Sequence, residues 1–344
     1  MSILDETALN AQIRSKDYSR VYLFYGEENY LKQQYVNRIV EKTVGEAFKT
    51  FNLHNLEGKD AALDEIAECC EAMPMMDEYT VTVVHDMPLN KLGSTELSKF
   101  HQLVSDISPS AILIFWCDTV EVDKKDKKWA QIISEVEKYG SAVNLGKKTV
   151  SELVKIIMSS AEKRGSSLNS DNARYLISVV GDDLNVLLNE LEKVSLFAAD
   201  REITKKDIDT VAVKSLEATT FGLAKALLGG NFDKAYEMLD ILFFRKTEPT
   251  LILGTLISSY VDMYRAKVAL TNGENATALA SSFNYRNKEF RLTNGARDAS
   301  KISITQLRKA LDILDDADKR LKTNFEEDKM RLAIEELMVR LMLV

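Results

Sequence analysis

Proline and glycine are scarce, at 4 and 14 in 344 residues. Turn-rich all-β sandwiches and barrels need more of both, so the shortage points to long helices. Cysteine and histidine are scarcer still: Cys69, Cys70 and Cys117, and His54, His85 and His101. An odd cysteine count with two neighbours adjacent makes no disulfide framework, and this usage fits a reducing cytoplasm. The same counts leave little material for a Cys/His metal cluster, and the histidines read as surface or packed residues rather than ligands. No apolar run approaches the ~20 residues that span a bilayer; residues 111–117, AILIFWC, are among the longest. At the N-terminus Asp5 and Glu6 stand where a secretory leader would need basic residues. The expectation is a soluble cytoplasmic protein with no membrane partner. Hydrophobic residues at 45% and charged residues at 28% give an ordinary globular balance, which excludes a disordered chain.

Charge is unevenly distributed. Residues 1–146 carry 15 Lys+Arg against 24 Asp+Glu, residues 147–215 carry 11 of each, and the remainder carries 19 against 18. The acidic first part is unsuited to wrapping nucleic acid alone by neutralising phosphate. A role at DNA inside a larger, more positive assembly stays open.

Three short apolar and β-branched runs read as buried strands: 21–25 (VYLFY), 80–84 (TVTVV) and 111–117. Helical spacing fills 27–44, 60–72 and 95–105, and strands alternating with helices predict a parallel sheet covered by helices. Beyond residue 146 the strand signal stops. Helices are expected over 151–164, 170–180 and 184–197, with a short one over 204–210, and then over 220–228, 232–244, 249–270, 303–322 and 328–342. The organisation is therefore an α/β domain over 1–146, a small helical domain over 147–215 and an all-α bundle over 216–344.

The first strand, Gly26 and the following helix occupy the place of a phosphate-binding loop. Such a loop requires G-x-x-x-x-G-K-[ST], whose backbone N–H groups and lysine cradle phosphate. Here Glu27 and Glu28 follow Gly26, carboxylates at a helix start repel phosphate, and the reading is that the lysine is missing. Gly146-Lys147-Lys148 lacks the earlier glycine and the Ser/Thr that follows. No cofactor and no ATP hydrolysis are expected. Asp86 and Asp118 close two strands, where an acid holds a metal or, as the commoner case, caps a turn. No G-x-S-x-G elbow and no Cys–His pairing at helical spacing appears.

Three stretches in order carry a family resemblance: Tyr22-Leu23-Phe24-Tyr25-Gly26-Glu27-Glu28-Asn29-Tyr30-Leu31; Gly181-Asp182-Asp183-Leu184 with the helix through Lys193; and Leu314 to Lys322 with Leu332, Ala333, Glu335 and Leu337. Together they resemble the delta subunit of the bacterial DNA polymerase III clamp loader, over essentially the whole chain. The resemblance implies an AAA+-like parallel-sheet domain without a P-loop, a three-helix lid and a C-terminal helical collar. It also implies a non-ATPase part of a DNA-directed DNA polymerase holoenzyme. Such a part binds the sliding clamp (beta subunit), holds its ring open for loading onto primed DNA, and associates with ATPase siblings and delta prime.

In the family, the helix–strand junction corresponding to the one before the 80–84 strand carries two adjacent large apolar residues that enter the clamp's pocket. Met75 and Met76, after Pro74, occupy those positions, where Leu or Phe is usual. Methionine adapts to pockets and suits binding surfaces; read on spacing alone, the pair also suits plugs of the α/β core. The stretch 285–301 contains Arg286, Lys288 and Arg291, which suit DNA phosphate or, more commonly, a solvated helix face or a collar contact. The competing readings are a degenerate nucleotide-binding enzyme with a helical substrate domain, and a helical scaffold for another ring or adaptor.

Overall fold

The computed structural model describes residues 5–285, 289–300, 302–323 and 327–344. The chain forms two compact units, Met1–Lys148 and Thr149–Val344.

The first unit runs α1 (Glu6–Ser15), β1 (Val21–Tyr25), α2 (Asn29–Thr43), α3 (Lys49–Asn52), β2 (Leu53–Glu57), α4 (Leu63–Glu71), β3 (Thr80–His85), α5 (Ser94–Ser105), β4 (Ala111–Trp116), α6 (Lys127–Tyr139) and β5 (Ser141–Asn144). The strands lie in the order β2-β3-β4-β1-β5, and every neighbouring pair is parallel. The three central strands are those the sequence announces. Helices cover both faces of them, so nearly every side chain is buried and the runs are mostly apolar or β-branched. Burying each such Val, Leu, Ile or Phe contributes roughly 1.5–3 kcal/mol.

The two edge strands, β2 and β5, escape the sequence reading. LHNLE mixes half-buried and exposed positions with none fully buried, and SAVN is only four residues long. Neither produces an apolar run. Gly26, at φ +112°, ends β1 where the Leu145 carbonyl passes; a Cβ there would lie 2.4 Å from that oxygen.

Among the described residues, the regular structure of the second unit is helical apart from one isolated bridge. It begins with α7 (Val150–Glu162), α8 (Ser170–Val180), α9 (Leu184–Ala198) and α10 (Lys205–Val211). Thr149, Asn169, Asp183 and Thr204 cap their N-termini through side-chain oxygens. It continues with α11 (Leu216–Leu228), α12 (Phe232–Phe244), α13 (Pro249–Thr271), α14 (Phe290–Asp298), α15 (Ile304–Thr323) and α16 (Glu327–Met342). Pro249 opens α13, where its missing N–H leaves no bond unmade. Leu223, Leu239, Ile252, Leu256, Leu307 and Leu337 meet in the core of these helices. Leu251 and Val339, on the same helices, stay exposed. No helix among the described residues is long and apolar enough to cross a membrane.

Candidate functional site

The junction between α4 and β3 forms a tied loop. α4 stops at Glu71, and Ala72 turns the backbone to an extended conformation. The Thr80 hydroxyl donates to the Ala72 carbonyl at 3.1 Å, closing the base. The middle is held by Asn52, the last residue of α3, which is fully buried. Its amide oxygen accepts from Met75 N–H at 2.7 Å, and its NH2 donates to the Met75 carbonyl at 2.9 Å. The same NH2 donates to Asp77 Oδ2 at 2.7 Å, and that oxygen also accepts from Gly45 N–H at 3.1 Å.

The side chains of this loop point to water. Met73, Met75 and Met76 are 91%, 49% and 81% exposed, and Pro74 is half-buried. The core-plug reading of Met75 and Met76 is therefore corrected: neither fills the α/β core. Met76 also has φ +61°, a left-handed conformation that disfavours a residue with a Cβ. Phe51, beside Asn52, is 55% exposed.

The position of a nucleotide is closed from within, and here the sequence reading missed a residue. Lys32 stands six residues after Gly26, in register with a P-loop lysine, with Leu31 and Gln33 in place of the glycine and Ser/Thr. The segment between cannot cradle phosphate, because α2 already begins at Asn29. Lys32 is 1% exposed. Its Nζ donates to the Gly26 carbonyl at 2.7 Å and to the Cys117 carbonyl. Burial pulls the ammonium pKa below the ordinary lysine value, against the opposing influence of Cys117, Asp118, Asp86 and Glu28. Glu28, at the N-cap of α2, is itself buried.

Asp86 is a cap. It sits at φ +55° after β3, and its carboxylate accepts from Asp118 N–H at 2.6 Å, Val120 N–H at 3.2 Å, Thr119 N–H at 2.9 Å and the Thr119 hydroxyl at 2.6 Å. Burial raises its pKa, but the bonds from Thr119, Val120 and Asp118 outweigh burial and hold the carboxyl at about 2. His85 stacks on Trp116 at 4.2 Å and pairs with Glu57 at 3.1 Å; His101 pairs with Glu135 at 2.5 Å. Among the described residues no group of three or more His, Cys, Asp or Glu is placed to hold a metal.

Of the basic stretch, Arg286 and Lys288 lie outside the described residues. Arg291, the third candidate for DNA contact, is held within the second unit. Its Nε donates to the buried Asp262 at 2.7 Å, which also accepts from the Tyr285 hydroxyl, and this pair anchors α14. The helix α14 here is not among the helices the sequence spacing predicts, although a solvated helix face was one reading of the stretch. α12 carries a second exposed apolar face: Phe232, Tyr236, Ile241 and Phe244, the last 91% exposed, with Asp233 and Glu237 alongside.

Three family descriptions match consecutive stretches: the delta subunit of DNA polymerase III over residues 22–142, a middle domain over 149–210, and the C-terminal domain of the DNA polymerase III delta subunit over 217–341. The chain is 23% identical over 322 residues to the DNA polymerase III subunit delta of Bacillus subtilis, covering 91% of each. It is 21% identical over 276 residues to a probable DNA polymerase III subunit delta of Aquifex aeolicus, covering 78% of this chain and 76% of that one. The solved Bacillus subtilis DNA clamp loader delta protein shares the fold, with a TM-score of 0.62 at 21% identity over 98% of this chain and 99% of that one.

Proposed function

The chain belongs to the DNA polymerase III delta-subunit family, and from that premise we propose that it binds the replication sliding clamp through the 73–77 loop. In this reading it holds the clamp's ring open for loading onto primed DNA and performs no ATP chemistry itself. The observation that carries it is the pair Met75 and Met76, solvent-exposed on a loop whose backbone is fixed by the buried Asn52. Exposed apolar anchors on a pre-ordered backbone lose little conformational freedom on binding and suit a hydrophobic pocket.

The closed nucleotide position supports a passive role. Lys32, the group that would meet a phosphate, already donates to two backbone carbonyls. The degenerate-enzyme alternative has no such support. Residues 1–146 are proposed as the clamp-contacting domain, 147–215 as the lid and 216–344 as the collar that joins ATPase siblings and delta prime. The excess of acidic residues in 1–146 assigns the attraction for DNA to the assembled loader rather than to this part alone.

The test is Met75→Ala with Met76→Ala, reading melting and clamp affinity together. Clamp affinity is expected to fall about thirtyfold or more, the loss of ~2 kcal/mol typical of a hot spot, with melting unchanged. A lowered melting temperature with clamp affinity intact sinks the reading.

A further inference from the structure

The sulfur atoms of this chain are unevenly exposed. Met87, Met263 and Met338 are buried, and Met158, Met238, Met330 and Met342 are half-buried. Among the described methionines, the exposed ones are Met73, Met75 and Met76, all within four residues of one loop. The thiols are poorly placed to compete. Cys70 and Cys117 are 2% exposed, and burial pushes their pKa values up to about 11 and about 12. Cys69 is half-buried, and burial, Glu65 and Glu68 raise its thiol too. Thiolate, the reactive form of cysteine, is therefore scarce at neutral pH. Surface sulfur chemistry converges on three thioethers.

The loop's hold on its backbone does not depend on those thioethers. Asn52 bonds to the Met75 N–H and carbonyl, and Asp77 bonds to Asn52 and Gly45. The side chains can change chemistry while the loop keeps its shape. Oxidation turns an apolar, flexible side chain into a polar one with a strong acceptor oxygen, which an apolar pocket disfavours.

We infer that Met73, Met75 and Met76 form a reversible oxidation site for peroxide-class oxidants, and that their sulfoxide forms no longer engage the clamp. The inference rests on the clamp-binding reading of this loop. In the step, a methionine sulfur lone pair attacks one peroxide oxygen as the O–O bond breaks. Sulfur is oxidised by two electrons, hydrogen peroxide is reduced, and the transferred oxygen's proton joins the departing hydroxide to give water. Met73 and Met76 react ahead of the less exposed Met75. In the reverse step, methionine sulfoxide reductases A and B with dithiothreitol return the thioether, water and the oxidised dithiol.

The experiment treats the full chain with dilute hydrogen peroxide. It maps sulfoxides by mass spectrometry and measures melting and affinity for the purified sliding clamp. Oxidation is expected first at Met73 and Met76, with melting unchanged and clamp affinity lowered about tenfold or more, since sulfoxide formation disrupts methionine-rich interfaces. Reductase treatment restores the affinity. A variant carrying Met73→Leu, Met75→Leu and Met76→Leu, compared only with itself before and after peroxide, keeps whatever affinity it had. Sulfoxides forming first elsewhere, or an oxidised loop that binds the clamp as before, overturns the inference while leaving the clamp-binding reading standing. Failure of the untreated chain to bind the clamp overturns that reading, and the inference with it.

Discussion

Asn52 and Met75 pair as two strand residues do, although one partner is a side chain: the amide of Asn52 accepts from the Met75 N–H and donates to its carbonyl, at 2.7 and 2.9 Å. This imitation of a β ladder fixes a loop that has no sheet of its own, and it leaves the methionine side chains in solvent. A buried residue 23 positions earlier in the chain thus decides how the exposed methionines are presented.

Asn52→Ala is expected to free the loop. The Met75 N–H and carbonyl lose their partner, which costs ~1–3 kcal/mol when buried groups go unsatisfied. The Met75 amide is predicted to exchange faster with deuterium than in the parent, and clamp affinity to fall although no methionine has changed. Unaltered exchange at Met75 would remove Asn52 from this role.

Lys32→Met separates a structural lysine from a phosphate-binding one. The change leaves the Gly26 and Cys117 carbonyls without a donor and is expected to lower stability by ~1–3 kcal/mol. Magnesium ATP is expected to shift the melting temperature of neither protein. A stabilising shift in the parent that vanishes in the variant would reinstate a nucleotide site.

Asp86 ties part of the stability to acid pH. Its carboxyl titrates at about 2 in the folded state and near 3.9 in an unfolded chain. Because the folded value is the lower one, its contribution is complete above about pH 4 and is lost as pH falls toward 2. The gap corresponds to roughly 2–3 kcal/mol. Urea titrations at pH 6 and pH 3 should show a smaller acid loss in Asp86→Asn, which starts from lower stability. Equal acid losses in the two proteins would assign the effect to other carboxylates.

The exposed face of α12 is predicted to contribute to association with sibling proteins. Tyr236→Lys with Phe244→Lys replaces exposed apolar side chains, so melting should hardly change. Co-purification with the sibling loader subunits should fall about tenfold or more if this face lies at an interface core, where charged residues are depleted. Full recovery of the assembly would place the collar contact on another face.

Much of the architecture was legible because burial on two faces writes itself into local sequence. VYLFY, TVTVVH and AILIFW are apolar or β-branched almost throughout, and they are the three central strands. The capped helices of the second unit, with Asp183 and Pro249 at their starts, were legible for the same reason: their signals lie within one turn of the feature they specify. The unsuitability of the segment after Gly26 for phosphate was also local, written in Glu27 and Glu28, although the reading overlooked Lys32.

Tertiary structure decided the rest, because the deciding partners are distant in sequence. Lys32 keeps a P-loop register, yet a carbonyl 85 residues away occupies its ammonium. Arg291 looks like a surface cation until Asp262, 29 residues earlier, binds it. β2 and β5 exist only because β3 and β1 offer them an edge to pair with. Met75 and Met76 had the composition of either a core plug or a contact; the direction of their side chains came from Asn52. Periodicity encodes which face of an element is apolar, but the partner that meets that face is chosen only when remote segments pack.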